Sequence, residues 1–196
     1  GRVQWRKSDQ TGNLYPDPDM RLRRYLGGGR LEQDGEWHCE YDADGNLTER
    51  YLGTGRWLDG KKDRWRYRWN ADGSLAKVVR PDKREVEFTY DALGRRLSKS
   101  FGTTVMRWVW NGNVPLHQWK QHREYSVVED RWNTDTERRD MTVWLFDEES
   151  FVPVAMIKEG RSYSILTDQL GTPTEAYDTE GNEVWSRVLD MDGNVI

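Results

Sequence analysis

A short block repeated along this chain constrains its fold more than any other feature. Tyr41-Asp42-Ala43-Asp44-Gly45-Asn46-Leu47-Thr48-Glu49-Arg50 sets an aromatic residue before Asp, then two variable positions, Gly, a small polar residue and a return to an apolar position. Asp at the first turn position can accept hydrogen bonds from the backbone N–H groups two and three residues on, and Gly at the fourth can take positive φ without a Cβ clash. The block reads as strand, tight turn, strand. The punctuation recurs at Asp9-x-x-Gly12, Asp91-x-x-Gly94, Asp168-x-x-Gly171, Asp178-x-x-Gly181 and Asp190-x-x-Gly193, with Asn70-x-x-Gly73 as an Asn version. Repeated hairpins imply an architecture that grows by stacking. The expected fold class is all-β, an array of stacked antiparallel hairpins.

Only 35% of the 196 residues are hydrophobic and 33% are charged, which taken alone would suggest disorder. Eleven Trp, nine Tyr and four Phe reverse that expectation, because each buried ring removes about 150–250 Å² from water. Thirty basic and 34 acidic residues interleave to a net charge of −4, so no basic face of the size a nucleic-acid binder needs is expected. Arg64-Trp65-Arg66-Tyr67-Arg68-Trp69 mixes Arg with rings as a base-stacking platform would. Strict alternation explains it more simply, with three Arg on one strand face and three rings on the other. One cysteine, Cys39, can form no internal disulfide. No apolar run approaches the ~20 residues that cross a bilayer, and Gly1-Arg2-Val3-Gln4-Trp5 lacks a signal-peptide pattern. Export would then need a machine or a larger parent chain.

Four segments follow from the punctuation. Residues 1–35 hold opening strands and a Pro/Gly-rich loop, with Tyr15-Pro16-Asp17-Pro18-Asp19 as loop and Gly27-Gly28-Gly29 as a flexible joint. Residues 36–101 carry the clearest hairpins, whose starts at Tyr41, Trp69 and Tyr90 are 28 and 21 residues apart. Residues 102–167 keep the strand pattern and lose the turn signature. Asn111-Gly112-Asn113 marks a turn there, 129–140 reads as an exposed charged loop, and Pro153 marks an edge or bulge. Gln118 to Asp130 is the nearest approach to a helix, although Tyr125, Val127 and Val128 fit a strand equally. Residues 168–196 resume the turns.

Each site-like cluster has a structural reading beside it. Asp42-x-Asp44-Gly45-Asn46 and Asp190-x-Asp192-Gly193-Asn194 are similar to half a calcium loop but lack the further oxygen ligands and the closing Glu, so turn geometry is favoured. His38 and Cys39 are strand neighbours that point to opposite faces, a poor base–nucleophile pair, and Cys39 is expected to be a small buried filler. His117 and His122 do not make a zinc signature with one Cys. Glu148-Glu149 could be imagined in a glycosidase acid pair, yet nothing marks two carboxylates as partners. No catalytic, cofactor or metal residue is assigned. The residues singled out are the turn set: Tyr41, Asp42, Gly45, Trp69, Asn70, Gly73, Tyr90, Asp91, Gly94, Asp168, Gly171, Tyr177, Asp178 and Gly181.

Those residues carry a resemblance. Tyr-Asp-x-x-Gly-Asn-Leu at 41–47 resembles the YD repeat of Rhs (rearrangement hotspot) proteins, and Asp168-Gln169-Leu170-Gly171-Thr172-Pro173-Thr174-Glu175 is similar to a signature near the end of the Rhs core. Tyr177-Asp178-Thr179-Glu180-Gly181-Asn182-Glu183-Val184-Trp185 continues it, so the resemblance covers residues 31–196. It implies a segment of a β-cocoon, related to Tc toxin shells and teneurins, that encloses a C-terminal toxin for interbacterial competition, often by type VI secretion. The implied partners are the rest of the shell, the toxin cargo, and an immunity or secretion-apparatus protein. The implied location is the bacterial cytoplasm before export, then the target cell. The family's self-cleaving plug motif is not found before Ile196, so the resemblance implies a non-enzymatic piece of the distal shell. The alternative reading is an aromatic-rich β-repeat module that binds or processes carbohydrate.

Overall fold

Alternating side chains separated by turn residues give strands almost throughout. The structure, a computed structural model, describes residues 6–53, 62–189 and 195, and among them there is no α-helix. The Asp190–Gly193 turn lies outside the described residues. The chain divides into two compact units, Gly1–Phe88 and Thr89–Ile196.

In the first unit, β1 (Lys7–Ser8) and β2 (Leu14–Tyr15) close a small hairpin on the Asp9 turn. Then β3 (Arg23–Leu26), β4 (Arg30–Asp34), β5 (Trp37–Tyr41), β6 (Leu47–Leu52), β7 (Lys62–Trp69), β8 (Leu75–Val79) and β9 (Glu85–Tyr90) follow in sheet order, each antiparallel to the one before. The Gly27–Gly29 joint is a single 3-10 turn between β3 and β4, with Gly28 at φ 77° and Gly29 at φ 74°.

In the second unit, β10 (Arg96–Phe101), β11 (Thr104–Asn111) and β12 (Val114–Ser126) lead to β13 (Arg131–Thr134), which pairs only with the end of β12. The sheet resumes from the earlier part of β12 through β14 (Arg139–Phe146), β15 (Pro153–Lys158), β16 (Arg161–Thr167), β17 (Pro173–Tyr177) and β18 (Glu183–Ser186). Thus Gln118–Asp130 contributes a strand and a turn. The 129–140 stretch is exposed over 129–134 and 136–138 as expected, but it is not all loop: Arg131–Thr134 is a strand, and the residues after it run along β12. Gln121 Nε2 donates to the Asp135 carbonyl at 2.7 Å, and the Arg138 guanidinium lies 4.9 Å from the Trp119 ring. Pro153 lies opposite Phe146 at a bulge of the β14–β15 pair, one of the two outcomes expected for it.

Residues directly opposite each other share a sheet face. In the first unit one face carries Cys39, Arg50 and Trp65 in one row and Tyr67, Val78 and Val86 in another. The other carries Glu40, Glu49, Arg66, Val79 and Glu85 in a row. The alternation expected for Arg64 to Trp69 is therefore present. Burial is shallow: Tyr51 and Val78 are buried in the first unit, and Val105, Ile165 and Ala176 in the second. No large side chain among the described residues is completely enclosed.

Candidate functional site: the repeated turns and the sheet faces

Each Asp turn is built from one carboxylate and two backbone bonds. In the Asp42 turn the Gly45 N–H donates to the Asp42 carbonyl at 3.2 Å and the Asp42 N–H to the Asn46 carbonyl at 3.0 Å. Gly45 is at φ 87°, which completes a type I turn with a left-handed residue after it. The carboxylate then accepts from the residue four positions on, Asn46 N–H at 2.8 Å. Asp91 accepts from Leu93 and Arg95, Asp168 from Leu170 and Thr172, and Asp178 from Glu180 and Asn182, every backbone bond at 2.9 Å. The acceptor geometry is thus two and four residues on, where the sequence reading had two and three. The third N–H, that of Gly, goes to the Asp backbone carbonyl instead.

Hydrogen bonds to the ionised form hold these carboxyls below their usual range. For Asp9, side-chain bonds from Thr11 and Asn13 lead, and its pKa falls to about 2. The Asn46 backbone lowers Asp42, the Thr172 backbone lowers Asp168, and the Asn182 side chain lowers Asp178. At Asp91 desolvation pushes upward, and the bonds from Arg95 outweigh it.

The Asn70 turn solves the same problem differently. Gly73 N–H still donates to the Asn70 carbonyl at 3.0 Å, but the Ser74 N–H is taken by Asp72 at 2.9 Å. Other turns carry no Asp-x-x-Gly signature, among them those at Arg80–Arg84 and Asp147–Val152. At Arg80–Arg84, Lys83 holds the positive-φ position at 63°, and Asp82 accepts from the Arg84 N–H. At Asp147–Val152, Glu149 takes φ 56°. Pro81-Asp82 and the Asp147 start were the available signals for them.

A second regularity lies outside the turn itself. The ring that precedes a turn donates to the main chain of the preceding hairpin: Tyr41 Oη to the Leu31 carbonyl at 2.8 Å, Trp69 Nε1 to Leu47 at 2.8 Å, and Trp110 Nε1 to Arg96 at 2.8 Å. Tyr25 Oη does the same to Leu14 at 2.6 Å. Tyr177 instead bonds Glu175 on its own strand, at 2.7 Å, and the Arg96 guanidinium lies 5.9 Å from the Tyr90 ring. A bulge recurs three residues after the turn Gly, since the register slips by one around Thr48, Ala76, Thr174 and Val184.

The faces differ in chemistry. In the first unit the polar face is an ion-pair ladder: Arg64 pairs Glu49, Lys77 pairs Glu85 at 2.6 Å and Glu87 at 3.2 Å, and Tyr51 Oη donates to Glu40. On the other face Arg50 covers Trp37 at 4.3 Å and Arg80 approaches Trp65 at 5.9 Å. Cys39 is half-buried where a buried filler was expected, and burial pushes its thiol upward. His38 stacks on Tyr51 at 5.6 Å, on the opposite face. In the second unit Trp144, Met156 and Tyr163 form one row and Ile165, Ala176 and Trp185 the next. Together they line an open groove of ≈ 380 Å³ with Lys158 on its wall. Glu148 and Glu149 belong to a turn. Among the described residues no three His, Cys, Asp or Glu side chains converge as metal ligands, and no helix is long and apolar enough to cross a membrane.

The family model described as Teneurin YD-shell matches residues 9–196. Among curated proteins, Double-stranded DNA deaminase toxin A of Burkholderia cenocepacia (strain H111) is 30% identical over 117 residues, covering 53% of this chain and 8% of that protein. Probable deoxyribonuclease RhsA of Dickeya dadantii (strain 3937) is 26% identical over 105 residues, covering 53% of this chain and 7% of that protein. The chain thus spans less than a tenth of the length of these relatives. Among solved structures, a Photorhabdus luminescens Tc holotoxin pore aligns with TM-score 0.41 at 15% identity, over 87% of this chain and 7% of that one. A crystal structure of TcdB2-TccC3-Cdc42 aligns with TM-score 0.42 at 12% identity, over 96% and 8%. With the family match spanning nearly the whole chain and the repeated Tyr-Asp turns behind it, this chain belongs to the teneurin YD-shell family and is an Rhs-type YD-repeat protein.

Proposed function

We propose that this chain is a section of the wall of a toxin-enclosing shell, and that the turn set, Tyr41 through Gly181, is its structural frame. The observation that carries the reading is the ring-to-main-chain bond between hairpins, as from Trp69 to Leu47. A sheet joined this way can be lengthened one hairpin at a time, because each new hairpin brings both its turn and its tie to the last. The ion-pair ladder of the first unit would offer cargo a hydrated surface with little apolar area to trap it. The deaminase and deoxyribonuclease named for the relatives would reside in other parts of those much longer proteins. The partners of this reading are the rest of the shell, a C-terminal toxin and an immunity or secretion-apparatus protein. Its setting is interbacterial competition, with type VI export from the bacterial cytoplasm.

The test uses the whole reading frame that contains this segment. Limited proteolysis of the purified product should leave a cargo segment intact until the shell is opened with urea. A bacterial strain deleted for the frame should lose its advantage in co-culture over kin that lack the cognate immunity gene. A cargo digested equally fast with and without urea would count against enclosure, and an unchanged co-culture ratio would count against the competitive role.

A further inference from the structure

The arm formed by the end of β12 and β13 leaves the repeat and displays an apolar tip. Val127 and Val128 are 84% and 97% exposed at its turn. Two β-branched residues are a poor choice for a solvated turn, and no contact among the described residues covers them. The tip is also held in shape. Arg123 is buried, donates to the Gly102 carbonyl at 2.8 Å and lies 4.3 Å from the Trp132 ring. Tyr125 packs edge-on against Trp132 at 5.4 Å, and Glu129 bonds both Arg131 and Asn133. Around the valines stand the carboxylates of Glu124, Glu129 and Asp130, of which Glu129 pairs Arg131, Asp130 accepts from the Tyr125 hydroxyl and Glu124 lies 3.4 Å from His122.

The groove on β14–β18 has the opposite character. Its floor is apolar and Lys158 lines one wall, while Arg187, beside it, lies 5.2 Å from the Trp185 ring and donates to the Pro173 carbonyl. Two carboxylates stand near these cations: Asp140 near Lys158, paired with Lys120 at 2.6 Å, and Asp168 near Arg187, taken up by the Leu170 and Thr172 N–H groups. We propose that the β12–β13 tip of one chain seats in the β14–β18 groove of a second copy, valines on the apolar floor and the acidic collar against Lys158 and Arg187. The stiff Val side chains lose little rotamer freedom on docking. One such contact is far below the roughly 1,200–2,000 Å² of a stable interface, so a reciprocal pair of contacts about a two-fold axis is expected, and the association is weak.

Analytical ultracentrifugation of the purified chain from about 10 µM to about 1 mM should show a concentration-dependent dimer that loosens with added salt. Val128→Asp should weaken association about tenfold or more. Lys158→Glu, which sets a carboxylate against the acidic collar, should weaken it severalfold. Mixed together, the two variants should associate more tightly than either alone, since each retains the half of the contact the other lacks. Circular dichroism checks that both remain folded. A wild-type chain that stays monomeric throughout, or a dimer indifferent to Val128→Asp, overturns the proposal. So does valine-dependent flotation of a monomer with phosphatidylcholine/phosphatidylglycerol vesicles, which would make lipid the occupant.

Discussion

Each turn Asp links local geometry to pH through its bound hydrogen-bond donors. A carboxyl depressed on folding adds stability that is present above the ordinary carboxylate range and is lost as pH falls through the folded value. For Asp9 that value is about 2, so the β1–β2 hairpin should weaken between about pH 4 and pH 2. An NMR titration of the Asp9 carboxyl carbon should give a midpoint near 2, and a midpoint near 4 would refute the assignment. The turn glycines are not equivalent. A Cβ on Gly171, at φ 79°, would meet Val152 Cγ2 at 3.0 Å, whereas one on Gly94, at φ 76°, would meet nothing within 4 Å. Gly94→Ala should therefore cost about 1–2 kcal/mol from backbone conformation alone, and Gly171→Ala more, as read by urea denaturation. Equal costs would show that Val152 yields freely.

Neighbouring hairpins are tied by ladder bonds and, at Tyr25, Tyr41, Trp69 and Trp110, by a ring donor as well. Trp69→Phe keeps the apolar ring and removes the N–H that reaches the Leu47 carbonyl. The expected loss is about 1 kcal/mol, with faster amide exchange along β6 and β7 than along β17. An unchanged exchange pattern would mean the tie is incidental. Hairpin existence was legible from Asp-x-x-Gly because the turn is a local conformational choice. The Arg80 and Asp147 hairpins fall outside the Asp-x-x-Gly set, the first marked instead by the Pro81-Asp82-Lys83-Arg84 connection, since Lys83 and Glu149 hold the left-handed position that Gly holds elsewhere. Nor was the β12–β13 arm, because Arg131–Thr134 is all exposed and its partner is chosen by the long overhang of β12.

Across the molecule, contacts in both units run mainly between successive strands, so stability should be distributed along the repeat. Unfolding is expected to depart from a single two-state transition, with Trp fluorescence and far-UV circular dichroism giving different urea midpoints. Coincident curves would indicate one cooperative block. The sequence alone determined the all-β class, the positions of the signature turns that fall among the described residues and the alternation of Arg64–Trp69, because turn chemistry and the two-residue strand period act over a few residues. Tertiary structure alone decided that Trp69 reaches Leu47, that Lys77 pairs both Glu85 and Glu87, and that Arg187 meets Trp185 at the rim of a groove. Those contacts depend on strand register and on which side chains meet across it, and neither is written in any single block of the repeat.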